Sequence, residues 1–79
     1  MNVRVLFFGA TADEVGLRQF DLSLEESSTV REAFSDTLGR FPNLRKHKLL
    51  FAVNEEYASE NRQLRNGDNL AIFTPVSGG

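Results

Sequence analysis

The chain has 79 residues, a formal net charge of −2, 41% hydrophobic residues including seven Phe, one His and no Cys. That length makes one domain around one small core; the lack of thiols excludes a disulfide framework and thiolate chemistry, and a lone His leaves no zinc set, so no metal site is expected. Mild acidity argues against a nucleic-acid partner, which asks for a basic face, and the lack of a leader or a membrane-length apolar run leads to the expectation of a cytoplasmic protein with no membrane partner.

Residues 2–8, Asn-Val-Arg-Val-Leu-Phe-Phe, are rich in β-branched and aromatic side chains and predict a strand. Val3, Val5 and Phe7 share one face, and Arg4, Leu6 and Phe8 the other. Residues 9–16 read as a turn with at most a short helical piece. Residues 18–24 alternate, with Phe20, Leu22 and Leu24 set against Gln19, Asp21 and Ser23, the pattern of a half-buried strand. The two strands are expected to form an antiparallel hairpin.

A helix is predicted over about residues 30–40. Thr29 and Glu32 form a capping box at its start, and Val30, Ala33, Phe34, Leu38 and Phe41 fall on one apolar stripe. Pro42 forbids continuation. Asn43 to Lys48 reads as a polar connection. Residues 49–53, Leu-Leu-Phe-Ala-Val, are too short for a helix and predict a strand buried on both sides. Asn54 ends it, and the following Glu-Glu-Tyr-Ala-Ser suits a short edge strand. Asn66-Gly67 signals a tight turn because both tolerate positive φ. Residues 69–73 make the last strand, with Leu70 and Ile72 facing one way and Ala71 and Phe73 the other. Pro75 lacks a ladder donor, so pairing should stop there.

The order β-β-α-β-(β)-β gives an α+β domain over residues 1–73: a mixed sheet of four to five strands with one main helix on one face. It resembles the ubiquitin-like β-grasp. Residues 74–79 are then a C-terminal tail. One helix covers one face, and Leu6, Phe8 and Phe73 fall out of phase with the core of their own strands. An exposed apolar patch near the tail is expected, the usual mark of a partner site.

Internal catalytic constellations are lacking. Ser23 sits mid-strand, where the helix-initiating serine of an acyl carrier protein cannot be. His47 reads as a solvated loop histidine with no carboxylate at useful spacing, and the pairs Glu25-Glu26 and Glu55-Glu56 as solvated surface without a cleft. No glycine-rich phosphate loop follows a strand. The remaining chemical group is the carboxylate of Gly79. The six residues Thr74 to Gly79 reach at most about 20 Å, long enough to enter a docked enzyme. Their side chains shrink from Val76 through Ser77 to Gly78-Gly79, as a narrow channel requires. Adenylation would activate the carboxylate. Attack by a lysine would then give a conjugate, and attack by a sulfur nucleophile a thiocarboxylate.

The stretches VRVLFFG, TVREAFSDTL, LLFAVNEE, LRNGDNLAIF and the closing TPVSGG resemble the small subunit of molybdopterin synthase, the molybdenum-cofactor sulfur carrier, nearly end to end. In that family the tail usually begins Pro-Pro; here Thr74 replaces the first proline. The resemblance implies that Gly79 is adenylated by a ubiquitin-activating-type enzyme using ATP and is converted to a thiocarboxylate by a sulfur donor protein. It implies that Pro75, Val76, Ser77 and Gly78 then insert into the large catalytic subunit, where sulfur passes to cyclic pyranopterin monophosphate, in a two-plus-two assembly. Phe8, Tyr57 and Phe73 match the family's apolar docking residues. The chain itself would bind no cofactor and act as a non-catalytic, sulfur-carrying subunit. The alternatives are a ubiquitin-like modifier joined to lysines through Gly79, a thiamine-pathway sulfur carrier (a family typically shorter and without this ending), and a plain interaction domain with a frayed end.

Overall fold

The computed structural model describes residues 1–75. Strand β1 (Asn2–Phe7) is followed by a short helix α1 (Ala10–Val15), strand β2 (Gln19–Ser23), the main helix α2 (Val30–Arg40), a 3₁₀ turn (Pro42–Lys46), and strands β3 (Leu50–Val53), β4 (Glu56–Ala58) and β5 (Asn69–Phe73). The five strands form one sheet in the order β2-β1-β5-β3-β4. β1 and β5 run parallel at its centre, and the other pairs are antiparallel. The expected hairpin of β1 and β2 is present, with Val5 opposite Phe20.

The alternation read in the sequence decides which face is covered. Val3, Val5 and Phe7 of β1, Leu22 of β2, Phe51 and Val53 of β3, and Leu70 and Ile72 of β5 are buried beneath α2. Helix α2 starts at the capping box: the Glu32 amide donates to the Thr29 hydroxyl at 3.4 Å, and the Thr29 amide donates to the Glu32 carboxylate at 3.1 Å. Val30 and Ala33 are fully buried, and Phe34, Leu38 and Phe41 pack against the same core. Five of the seven Phe lie on this side. Phe7, Phe20 and Phe41 form a trio with ring centroids 5.5–5.9 Å apart, and Phe34 meets Phe51 edge-on at 5.0 Å.

Three sequence expectations change. β3 is buried on one face only: Phe51 and Val53 enter the core, while Leu50 and Ala52 are half-buried on the other side of the sheet. All four residues are apolar, so the alternation was invisible. The polar connection after Pro42 is a 3₁₀ turn with proline at its start, and Leu44 within it is completely buried. β1 ends at Phe7, which leaves Phe8 just past the strand. Two buried threonines also carry more than composition suggests. The Thr37 hydroxyl donates to the Ala33 carbonyl at 2.8 Å within α2. The Thr11 hydroxyl donates toward the carbonyls of Phe8 and Ile72 at 2.9 and 2.8 Å.

Candidate functional site

The uncovered face of the sheet carries a transverse row. Leu6 of β1 lies opposite Ala71 of β5, Ala71 opposite Ala52 of β3, and Ala52 opposite Tyr57 of β4. Side chains at matched positions of neighbouring strands share a face. The two alanines in the middle are too small to fill their share of it. They form the floor of an apolar trough, walled by Leu6 and Phe8 on one side and by Phe73 on the other, with Thr74 at its lip. Tyr57 extends that second wall: its ring meets Phe73 with centroids 5.9 Å apart and planes tilted by 47°.

Exposure separates these aromatics from the core. Phe8 is 54% and Tyr57 79% exposed, and Phe73 is half-buried between them and Leu50, its partner on β3. Burying such rings against another protein removes apolar area at about 25 cal/mol per Å². The structure therefore brings Phe8, Tyr57 and Phe73 to one surface, although they are distant in sequence. Ala52, Ala71 and Leu50 belong to that surface too. For Ala52 and Leu50 the uniformly apolar β3 hid the phase; Ala71 was in phase with Phe73 but is too small to draw notice.

The trough opens where the tail leaves. β5 ends at Phe73, Thr74 is half-buried and Pro75 is exposed. Val76, Ser77, Gly78 and Gly79 lie outside the described residues. The Thr11 hydroxyl fixes this corner, since it ties the start of α1 to the Ile72 carbonyl of β5 and accepts the Phe8 amide at 3.0 Å.

Elsewhere His47 departs from expectation. It is not a free loop histidine: its Nε2 lies 3.0 Å from a Glu14 carboxylate oxygen, which Lys46 also approaches at 3.8 Å, and both His47 and Glu14 are mostly buried. The contact spans 33 residues, beyond any local spacing rule, and it clasps α1 to the 3₁₀ turn. Glu25, Glu26, Glu55 and Glu56 are exposed, and Ser23 is exposed within β2. Among the described residues no group of three or more His, Cys, Asp or Glu could hold a metal ion, and no helix is long and apolar enough to cross a membrane.

Residues 5–79 match the ThiS family. Over 82 residues the chain is 33% identical to the molybdopterin synthase sulfur carrier subunit of Haemophilus influenzae, a match that covers 98% of this chain and 99% of that one. Among solved structures it is similar to SAMP1 of Haloferax volcanii, with a TM-score of 0.88 and 27% identity over the full length of both chains. It is also similar, with a TM-score of 0.73 and 24% identity over both full lengths, to a chain in the complex of subunits 1 and 2 of molybdopterin-converting factor from Helicobacter pylori. The mixed sheet with its single main helix is thus the ubiquitin-like β-grasp.

Proposed function

The chain belongs to the ThiS family, and from that membership we propose that it is the sulfur-carrying small subunit of molybdopterin synthase. The observation that carries the proposal is the apolar trough at the root of the tail, lined by Phe8, Ala52, Ala71 and Phe73 with Thr74 at its lip. Such a surface suits a partner that seats the domain and draws the tail inward.

The chemistry follows from what a glycine carboxylate lacks. It is a poor electrophile until an activating enzyme of the ubiquitin-activating type joins it to the AMP half of ATP, with loss of pyrophosphate. A persulfide on a donor protein then attacks the carbonyl of Gly79 and AMP leaves, giving an acyl disulfide. A thiolate next attacks the donor's sulfur, the S–S bond breaks, a disulfide forms on the donor side and the thiocarboxylate remains on Gly79. Pro75, Val76, Ser77 and Gly78 thread the tail into the large catalytic subunit while Phe8, Tyr57 and Phe73 hold the domain against it. There the sulfur passes to cyclic pyranopterin monophosphate. The groups that act on the pterin belong to the partner, and ATP is the activating enzyme's substrate. The similar Helicobacter pylori chain comes from a complex with a second subunit, which supports a large-subunit partner. The molybdopterin route is preferred to a thiamine-pathway one because the Haemophilus influenzae relative, matched over 99% of its length, carries the molybdopterin name.

Intact mass spectrometry tests the proposal. After incubation with ATP, the cognate activating enzyme and a sulfur donor, the chain should gain the mass of one oxygen exchanged for sulfur. Deleting Gly79 should abolish that gain and leave the thermal unfolding transition in place. A second reading, attachment of Gly79 to lysines, is supported by the likeness to SAMP1, the small archaeal modifier protein 1. Lysine-linked adducts without any sulfur exchange would establish it in place of the first.

A further inference from the structure

The charged side chains are unevenly spread, and the exception is the end from which the tail leaves. β1 and β5 run parallel toward this pole. Arg18 lies there, its carbonyl accepting the Phe7 amide at 2.8 Å. So does Arg40, the last residue of α2, with its guanidinium carbon 5.4 Å from the centre of the Phe20 ring. Arg45 and Lys46 follow on the 3₁₀ turn, and Lys48 leads into β3. Leu50 pairs with Phe73 in antiparallel register, so Lys48, two residues upstream, flanks the chain just as it departs from the sheet.

These five make up most of the nine Lys and Arg residues, whereas of the eleven acids Asp13, Glu14 and Glu60 share their end, Glu60 lying beside Leu49 and Leu50 and pairing with Arg31 at 3.7 Å. The tail pole therefore carries +2 and the rest of the molecule −4, within a chain of −2. Glu14 is already engaged by His47 and Lys46. Among the described residues no ion pair neutralises Arg45 or Lys48, and both are exposed. All five cations of the collar are exposed, so it suits a broad surface and not a small bound anion.

Resting on the sulfur-carrier proposal, we infer that this collar steers the tail into an acidic rim around the active-site mouth of the enzyme that adenylates it. A uniformly acidic domain would be repelled by such a rim. A bipolar one is turned by it, so that the tail arrives first. Exposed rim charges act mainly on the encounter rate, and their effect fades as salt shortens the screening length. A carrier that is loaded and unloaded repeatedly benefits from a fast encounter more than from a long-lived complex.

The test is ATP–pyrophosphate exchange by the cognate activating enzyme, with the full chain as varied substrate, at about 20 and about 300 mM NaCl, on either side of the ionic strength at which screening reaches contact distances. The double variant Arg45→Glu/Lys48→Glu should lower kcat/KM about tenfold at low salt, through KM, and come within about twofold of the parent at high salt. The control Arg62→Glu/Arg65→Glu, at the opposite end, should stay within about twofold at both. Lys48→Gln, a milder change should the double variant not fold, is expected to lose about threefold at low salt only. Equal losses in the collar and control variants, losses that persist at high salt, or no loss at all would each overturn the inference while leaving the sulfur-carrier proposal standing. Failure of the unaltered chain to support exchange would instead overturn that proposal, and this inference with it.

Discussion

Thr11 has no part in the proposed chemistry, yet it is fully buried and holds the corner from which the tail departs. Its hydroxyl bridges Phe8 and Ile72, which are far apart in the chain. Thr11→Val keeps the shape but takes the side-chain acceptor from the Phe8 amide and the side-chain donor from the Ile72 carbonyl, while the Phe8 carbonyl keeps the Thr11 amide at 3.1 Å. It should cost about 1–3 kcal/mol in chemical denaturation, and no loss would show that water replaces the hydroxyl. Phe8, three residues earlier, is the opposite case. Being 54% exposed, it can become Asp with a stability change within about 0.5 kcal/mol, while affinity for the large subunit should fall at least tenfold, about 1.4 kcal/mol or more. Calorimetry and denaturant titration on one sample separate the two effects; a large loss of stability with unchanged affinity would place Phe8 in the core. Phe8 and Phe73 were legible because alternation puts them out of phase with Val3, Val5, Phe7, Leu70 and Ile72. Thr11 and the Glu14–His47 contact were not, because each depends on where the fold brings together residues with no sequence relation.

At the scale of elements, the capping box, the stripe of α2 and the Asn66-Gly67 turn were legible because each is a rule about neighbours in sequence. Gly67 does adopt a positive φ of 87°, and the Asn66 side chain accepts the Asn2 amide at 2.7 Å. The turn joining β3 and β4 was only half visible. Its two residues, Asn54 and Glu55, have φ of 49° and 72°, the left-handed pair of a type I′ hairpin. Asn54 suits the position, and its side chain accepts the Asn69 amide at 2.9 Å and donates to Asp68 at 3.0 Å. Glu55 does not suit it, since its Cβ crowds the backbone there. Glu55→Gly should stabilise the protein by about 0.5–1 kcal/mol despite the added freedom of the unfolded chain. Thermal unfolding decides this, and a lower midpoint would mean that the Glu55 side chain contributes something beyond its strain. β3 itself misled because four consecutive apolar residues conceal a period of two.

Over the whole molecule, the first and last strands are neighbours at the centre of the sheet. The sequence permits that pairing but does not announce it, because parallel partners leave no local signature comparable with a hairpin turn. Without β5, both β1 and β3 lose a partner and the core loses Leu70 and Ile72. A chain cut after Leu64 is therefore expected to lack a cooperative transition and a dispersed amide spectrum; a folded fragment would show that β2, β1 and α2 suffice alone. Folding of the full chain should fall in the millisecond-to-second range, as for other domains dominated by long-range pairing, which stopped-flow fluorescence of Tyr57 can follow.

The central place of β5 also has a consequence for biosynthesis. A ribosome feeds out β1 before β5, so a nascent chain has no completed sheet to fold onto while β5 is still inside the exit tunnel. The trough, floored in part by Ala71 of β5 and walled by Phe73, comes into being only once β5 has cleared that tunnel. A partner that recognises the trough thus discriminates against chains whose β5 has not yet emerged, without any separate checkpoint.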